Sequence, residues 1–315
     1  MFNQKYLREV EKELSSLGLK DSPQNLYDPV RYFMALGGKR IRPILTLMTA
    51  ELFGSEADKA LKAAVAIELF HNFTLVHDDI MDEAPTRRGK KTVHEHWNSN
   101  IAILSGDLIL IKAYQQLESY PPEVQARLIT ILNKTAVEVC EGQQLDMDFE
   151  NEIQVSIDEY LEMIRLKTSV LLGCALSFGA IIANCDTKQS RAIYDFGVKL
   201  GIAFQIQDDI LDLFGDSDKV GKLKGGDVLK QKKSILTILA VQNGFEWNEL
   251  NEFPEDEEKV NFVIDRFTEL KIKEKASILM ELYSKEALRH LESIESSSAR
   301  KALTLFAKEL LGREN

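Results

Sequence analysis

Apolar positions recur at three- and four-residue spacing along nearly the whole chain, and the two-residue alternation of strands is hard to find. The pattern predicts an all-α protein. An opening amphipathic segment, to about Gly18, sets Tyr6, Val10 and Leu14 on one face. Asp28-Pro29 reads as a cap and first-turn proline for a helix through Leu36, which Gly37-Gly38 stops. The next helices are predicted over 41–53 and 56–83. The second is nearly apolar from 61 to 76, Lys62 and Glu68 excepted, so it is expected to be buried on most sides. A polar loop follows over 84–92, breaking at Pro85. Further helices fit 101–118, 123–150, 157–183 and 188–214. A long charged loop over 215–233 reads as a functional lid or a disordered stretch. Helices over 234–243, 255–271, 273–295 and 298–312 complete the chain, with an acidic separator at 251–258.

The helical pattern carries a local conflict. Leu75-Val-His77-Asp78-Asp79-Ile-Met-Asp82 ends the helix over 56–83, and 130 positions later Phe204-Gln205-Ile-Gln-Asp208-Asp209-Ile-Leu-Asp212 repeats its acids. Residues i and i+4 lie one above the other, so each copy aims two carboxylates the same way. At an effective dielectric of ~20, such charges 5–6 Å apart repel by about 3 kcal/mol. A cation resolves that repulsion. All-oxygen ligands suit Mg²⁺, Mn²⁺ or Ca²⁺, and no cysteine or histidine spacing argues for zinc. Mg²⁺ takes one or two carboxylates and shares the rest of its shell with water and substrate phosphates. Arg87-Arg88-Gly89-Lys90, just past Asp82, fits the same partner, because guanidinium forks match phosphate oxygens. If both acid sets serve one diphosphate, helices 56–83 and 188–214 must face each other, which one domain over 1–315 achieves more simply than two.

Bulk properties narrow the reading without changing it. The 315 residues are 44% hydrophobic and 28% charged, with a formal net charge of −11. That charge, with no basic stripe to offset it, argues against nucleic acid as a partner. The N-terminus lacks the apolar core of a signal peptide. The most apolar run, 168–185, carries Thr168, Ser169, Ser177 and Asn184, so it reads as a core helix and not a transmembrane segment. Cys140, Cys174 and Cys185 lie in mostly apolar helical stretches and read as small buried residues of a reducing compartment. A cytoplasmic protein is expected.

Other residues have candidate chemistry. Gly37-Gly38-Lys39-Arg40-Ile41-Arg42-Pro43 sets three cations at a helix start, either a phosphate cradle or a solvated basic turn. His71 lies two turns before Asp78 on the same stripe, as a core histidine or a ligand, whereas His77 points off the stripe and reads as structural. Lys167-Thr168 opens an apolar helix, Gln205 sits one turn before the second acid pair, and Lys232-Lys233 closes the long loop. No Ser-His-Asp set, Walker loop or dinucleotide fingerprint is present. Metal-assisted ionisation therefore fits better than attack by a protein nucleophile.

Together these motifs resemble the trans-isoprenyl diphosphate synthases, in order and spacing, across most of the chain. The resemblance implies an all-α bundle of ten or more helices around a central cavity, usually homodimeric. It implies a prenyltransferase that condenses isopentenyl diphosphate with an allylic diphosphate. By position, Asp78, Asp82 and Asp208 would bind Mg²⁺, three ions with substrate present and Mn²⁺ as a substitute, with Asp79, Asp209 and Asp212 in support. Arg87, Lys167, Gln205 and Lys232 would hold the allylic diphosphate. Lys39, Arg42, His71 and Arg88 would hold isopentenyl diphosphate. Thr168 would face the carbocation. The family often has Gly-Lys-Ser/Thr where this chain has Gln231-Lys232-Lys233-Ser234, so Lys233 is the alternative to Lys232, and the proline that follows in the family is missing.

Product length in this family depends on pocket depth. Thr74 lies one turn before Asp78 on its stripe and Phe73 beside it. An aromatic there resembles short-chain members making C15 to C20 products, and a C20 product is the reading adopted. A class I terpene cyclase would share the first acid motif but leave Lys39, Arg42, His71 and Arg88 idle. A non-catalytic partner subunit of a prenyl synthase would have no need of all six aspartates.

Overall fold

The computed structural model describes residues 3–215 and 225–312. Their contacts separate into two units, Met1–Asn133 with Cys174–Ile193, and Lys134–Gly173 with Tyr194–Asn315. Both are helical, as the apolar periodicity predicts.

In the first unit, α1 (Asn3–Ser15) buries Tyr6, Val10 and Leu14, the face expected from the sequence. Helix α2 (Gln24–Ala35) corrects the expected start behind an Asp28 cap: it begins five residues earlier and carries Pro29 inside. That proline forfeits one ladder hydrogen bond. The burial of Pro29, Val30 and Phe33 offsets the loss. Helix α3 (Ile41–Leu52) precedes a single 3₁₀ turn (Ala57–Ala60) and then α4 (Leu61–Met81). Helix α4 packs against α1, α3 and α6 (Ser99–Leu117), and everything from Ala63 to Phe70 is buried.

One buried charge cluster ties this unit together. The Arg40 guanidinium is fully buried and donates to Glu68 of α4 at 2.7 Å and to Glu11 of α1 at 2.7 Å. Asn72 donates to the same Glu68 carboxylate at 3.2 Å. Arg40 is also the residue that turns the chain into α3, at φ 47°.

The polar loop expected over 84–92 is a hairpin instead. Strands β1 (Thr86–Arg87) and β2 (Lys90–Lys91) pair antiparallel around Arg88 and Gly89, whose φ values are 53° and 73°. Two left-handed central residues give the turn that matches strand twist. The short α5 (Val93–His96) follows, and Asn98 caps α6 by accepting the Ile101 N–H.

Helices α7 (Pro122–Glu150), α9 (Val170–Ile182) and α10 (Thr187–Phe214) each contribute residues to both units. In the second unit, α8 (Ile157–Ile164) starts with a complete capping box of Ser156 and Glu159. The uninterrupted helix expected over 157–183 is broken at Arg165–Ser169 by a π turn. The core joins Tyr160, Ile206, Leu213, Ile235, Val263 and Phe267. It is completed by α12 (Ile235–Gln242), α13 (Asp256–Glu269) and α14 (Ile272–Glu292), with α15 (Ser298–Leu311) packed on α14. Of the loop expected over 215–233, residues 216–224 lie outside the described residues, and Gly226–Leu229 forms a short helix, α11.

The cysteine expectation needs correction. Cys174 is buried, but Cys185 is half-buried and Cys140 is exposed. Val139 takes the inward position on α7, and one residue of helical rotation turns Cys140 outward. The segment Ile157–Ile182 is long and apolar enough to cross a membrane by composition, but 83% of its most apolar window is buried, as in a core helix.

Replacing Glu68 with alanine should leave the Arg40 charge short of its buried partner and cost about 3–5 kcal/mol. The measurement is the urea midpoint of the variant against the parent protein.

Candidate functional site

Each unit carries one acid motif, placed at the end of a long helix. Asp78 and Asp79 occupy the last turn of α4, and Asp82 caps it, its N–H bonded to the Asp78 carbonyl at 2.8 Å. A helix C-terminus already bears about half a negative charge from its unpaired carbonyls, so acids there are unfavourable by another ~0.3–1 kcal/mol each.

The three acids are not equivalent. Asp79 is buried, 1% exposed, and its carboxylate accepts Arg87 Nε at 2.8 and 2.9 Å and Arg87 Nη2 at 2.8 Å. Burial pushes its carboxyl up from the usual value, against the pull of Arg87. Asp78 is half-buried and Asp82 exposed. The middle acid thus holds an arginine, and the outer two stand one helical turn apart.

Cations gather nearby. Arg42 Nη1 donates to His71 Nε2 at 3.1 Å. Desolvation and then Arg42, Arg87, Arg88 and Arg40 push His71 well below its ordinary 6.5, so it is a neutral acceptor there. Arg88 donates to the Gly37 carbonyl, and a Cβ on Gly38 would lie 3.0 Å from Arg88 Nη2. Desolvation, Arg40 and Arg87 lower the Arg88 guanidinium too. Arg40 itself is compensated by Glu68 and Glu11. Lys39 is exposed at the same turn.

Behind the acids, Phe73 is half-buried, its ring 5.7 Å from Phe70 and 4.8 Å from His77. The Thr74 hydroxyl is turned back to donate to the His71 carbonyl at 2.8 Å.

The second motif repeats the division of labour. Asp208 is exposed and Asp212 half-buried, whereas Asp209 is buried. Asp209 accepts the Tyr160 hydroxyl at 2.7 Å, the Ile235 N–H at 3.0 Å and Gln205 Nε2 at 3.2 Å. Burial and the nearby Asp227 push its carboxyl up to about 7, against these donors. The Asp212 carboxylate accepts the Asp227 N–H at 3.2 Å and its carbonyl the Gly225 N–H at 2.9 Å, so it anchors the start of α11.

Lys167, Thr168, Gln205 and Lys232 line one hollow of the second unit, with Asp146, Tyr160, Asp209, Asp227 and Lys233. Lys167 Nζ donates to Asp146 at 2.6 Å, and Lys232 Nζ lies 3.6 Å from the same oxygen. Burial would raise the Asp146 carboxyl, but Lys232 and Lys167 together hold it below its usual value. The Thr168 hydroxyl donates to Gln205 at 3.3 Å.

The π turn makes this cluster possible. A Cβ on Gly142 of α7 would meet the Lys167 backbone nitrogen at 2.2 Å, so only a glycine lets α7 pass close enough to present Asp146. Single π turns of this kind often occur at functional sites.

Three residues of the hollow escaped sequence reasoning. Asp146 had a signal, a glycine four positions earlier in an otherwise strong helix. Asp227 was visible only as part of the long loop. Tyr160 had none, since it reads as one more core aromatic. Among the described residues no three His, Cys, Asp or Glu side chains form a ready metal site. Each motif instead offers two outer carboxylates, the number Mg²⁺ takes when phosphate and water complete its shell.

The chain is similar to known proteins over most of its length. A family model described as Polyprenyl synthetase matches residues 23–270. The geranylgeranyl pyrophosphate synthase of Geoglobus acetivorans is 39% identical over 308 residues, covering 97% of this chain and 96% of its own. The short chain isoprenyl diphosphate synthase of Methanocaldococcus jannaschii is 42% identical over 243 residues, covering 77% and 73%. A crystal structure of a geranylgeranyl pyrophosphate synthase superposes with a TM-score of 0.93 at 46% identity, covering 99% of both chains. With the family model spanning most of the residues and relatives aligned nearly end to end, the chain belongs to the polyprenyl synthetase family.

Proposed function

We propose that the chain is a short-chain trans-prenyltransferase that joins isopentenyl diphosphate to an allylic diphosphate and makes geranylgeranyl diphosphate, working as one domain. The observation that carries this reading is the grouping of Arg42, Arg88 and His71 beside the first acid motif, with Arg42 donating to His71 Nε2 at 3.1 Å and Arg88 to the Gly37 carbonyl. It supports the reading of an anion site there, one that a single-substrate cyclase would not use. The names of the relatives support the C20 product.

Lys39, Arg42, His71 and Arg88 hold isopentenyl diphosphate in this reading. Arg87, Lys167, Gln205 and Lys232 hold the allylic diphosphate. Lys167 and Lys232 wait on Asp146, and an incoming diphosphate offers them a stronger anion at little cost in rearrangement. Asp78, Asp82 and Asp208 hold Mg²⁺, with Asp79, Asp209 and Asp212 supporting them, and Mn²⁺ can substitute. When bound, the metal neutralises the diphosphate and makes it a better leaving group.

The carbon–oxygen bond of the allylic substrate breaks, and its electrons leave with pyrophosphate. Thr168 and its partner Gln205 present oxygen dipoles to the resulting carbocation. The double bond of isopentenyl diphosphate attacks that cation, a carbon–carbon bond forms, and a proton is lost to the departing pyrophosphate, which serves as the base. Donors fixed in advance on the leaving group supply most of the acceleration. Phe73 floors the pocket and stops growth. We place the enzyme in the cytoplasm and expect a homodimer. Leu104 and Ile111, exposed two turns apart on one face of α6, support the dimer.

Purified protein with isopentenyl diphosphate and C5, C10 or C15 primers should give mainly C20 product, and excess EDTA should abolish turnover. No product with isopentenyl diphosphate present would end the reading. Alanine at Asp78 or at Asp208 should each lower kcat by about 10²–10³-fold. The double variant should fall short of the product of the two losses if both acids serve the same diphosphate. Phe73→Ala should lengthen the products, measured by chromatography after dephosphorylation.

A further inference from the structure

Helices α4 and α6 pack along each other within the first unit, and at one point α6 has no side chain to offer. Gly106 is buried there, and a Cβ on it would fall 2.3 Å from His77 Nε2 and 2.5 Å from His77 Cδ2. The imidazole of His77 fills the notch. Its Nε2 donates to the Ile103 carbonyl at 3.2 Å, with the Asp107 carboxylate 3.8 Å away. The other side of the ring meets Phe73 edge to face, with centroids 4.8 Å apart and planes at 66°. Phe70 meets Phe73 in the same manner at 5.7 Å and 60°. Phe73 is therefore held between two rings of its own helix, and one of those rings is keyed into α6.

A floor stops a growing chain at one length only if it stays still. Phe73 is half-buried, so solvent-side rotamers are open to it unless a neighbour excludes them. We propose that His77, seated in the notch of Gly106, is the positioning residue that fixes the Phe73 ring and so sets the length at which elongation stops. The inference rests on the reading of Phe73 as the floor. His77 touches neither diphosphate in that reading, so its effect belongs in the ratio of products and is independent of the rate.

The test compares His77→Ala, Gly106→Ala and Phe73→Ala, alone and in pairs, in the intact enzyme with isopentenyl diphosphate, a C15 primer and Mg²⁺. His77→Ala should raise the ratio of next-longer to main product by about two- to tenfold, the worth of one aromatic pair. Gly106→Ala should shift the same ratio, because its methyl and the His77 ring cannot share the notch. Neither change should add to Phe73→Ala. His77→Leu, which keeps bulk in the notch but loses the ring edge, replaces Gly106→Ala if that protein does not fold. An unchanged ratio in His77→Ala beside longer products in Phe73→Ala overturns the inference and leaves the floor standing. An equal shift in the Phe73→Ala background overturns it as well, because His77 would then act by another route. Unchanged products in Phe73→Ala overturn both.

Discussion

Like charges crowded at the ends of helices are the constraint on which the rest of this structure depends. Two carboxylates on one turn repel by about 3 kcal/mol, and the helix C-terminus adds to the strain. The chain answers by sorting its acids. In each motif the middle aspartate turns inward and is satisfied by protein, Asp79 by Arg87 and Asp209 by Tyr160, Gln205 and the Ile235 backbone. The outer acids stay nearer the solvent, Asp82 and Asp208 exposed and Asp78 and Asp212 half-buried, and paired carboxylates at that spacing suit a hard cation that shares its shell with phosphate. The same logic explains the cations. Lys167 and Lys232 rest on Asp146, and Arg87 on Asp79, so the positive charges are held in fixed orientations by protein carboxylates.

Much of this was legible in the sequence because it rests on local rules. Helical periodicity found nearly every long helix, since each must bury one face, and the spacing of Asp78 with Asp82 shows through any sequence at 3.6 residues per turn. What escaped depends on partners distant in the chain. The π turn at Arg165–Ser169 packs against another helix, which Gly142 lets approach the Lys167 backbone, and no rule about residues 157–183 alone contains that. Tyr160 looks like any core aromatic until its hydroxyl is seen to end on Asp209. The start of α2 was misjudged because Pro29, a strong signal for a first turn, is tolerated in mid-helix when burial outweighs one lost hydrogen bond. Cys140 was misread because a mostly apolar stretch still has an outside.

Asp209 also joins elements that the sequence keeps apart. It sits on α10, takes a bond from α8 and another from the first residue of α12, and lies in the same hollow as Lys232. An aspartate that reads as a metal ligand by spacing is, in the fold, also the pin that fixes the start of α12.

The hairpin at Arg87-Arg88-Gly89 has a geometric consequence. Neighbouring arginines there reach in different directions, Arg87 to a carboxylate at the end of α4 and Arg88 to the backbone carbonyl of Gly37. Adjacent residues at a tight reversal diverge, so this two-amino-acid step sends its guanidiniums to separate acceptors, one on α4 and one at the turn before α3. Its span is quantised. Lengthening or shortening the reversal by a single residue would exchange the sides to which the two guanidiniums point, and no side-chain rearrangement could restore both.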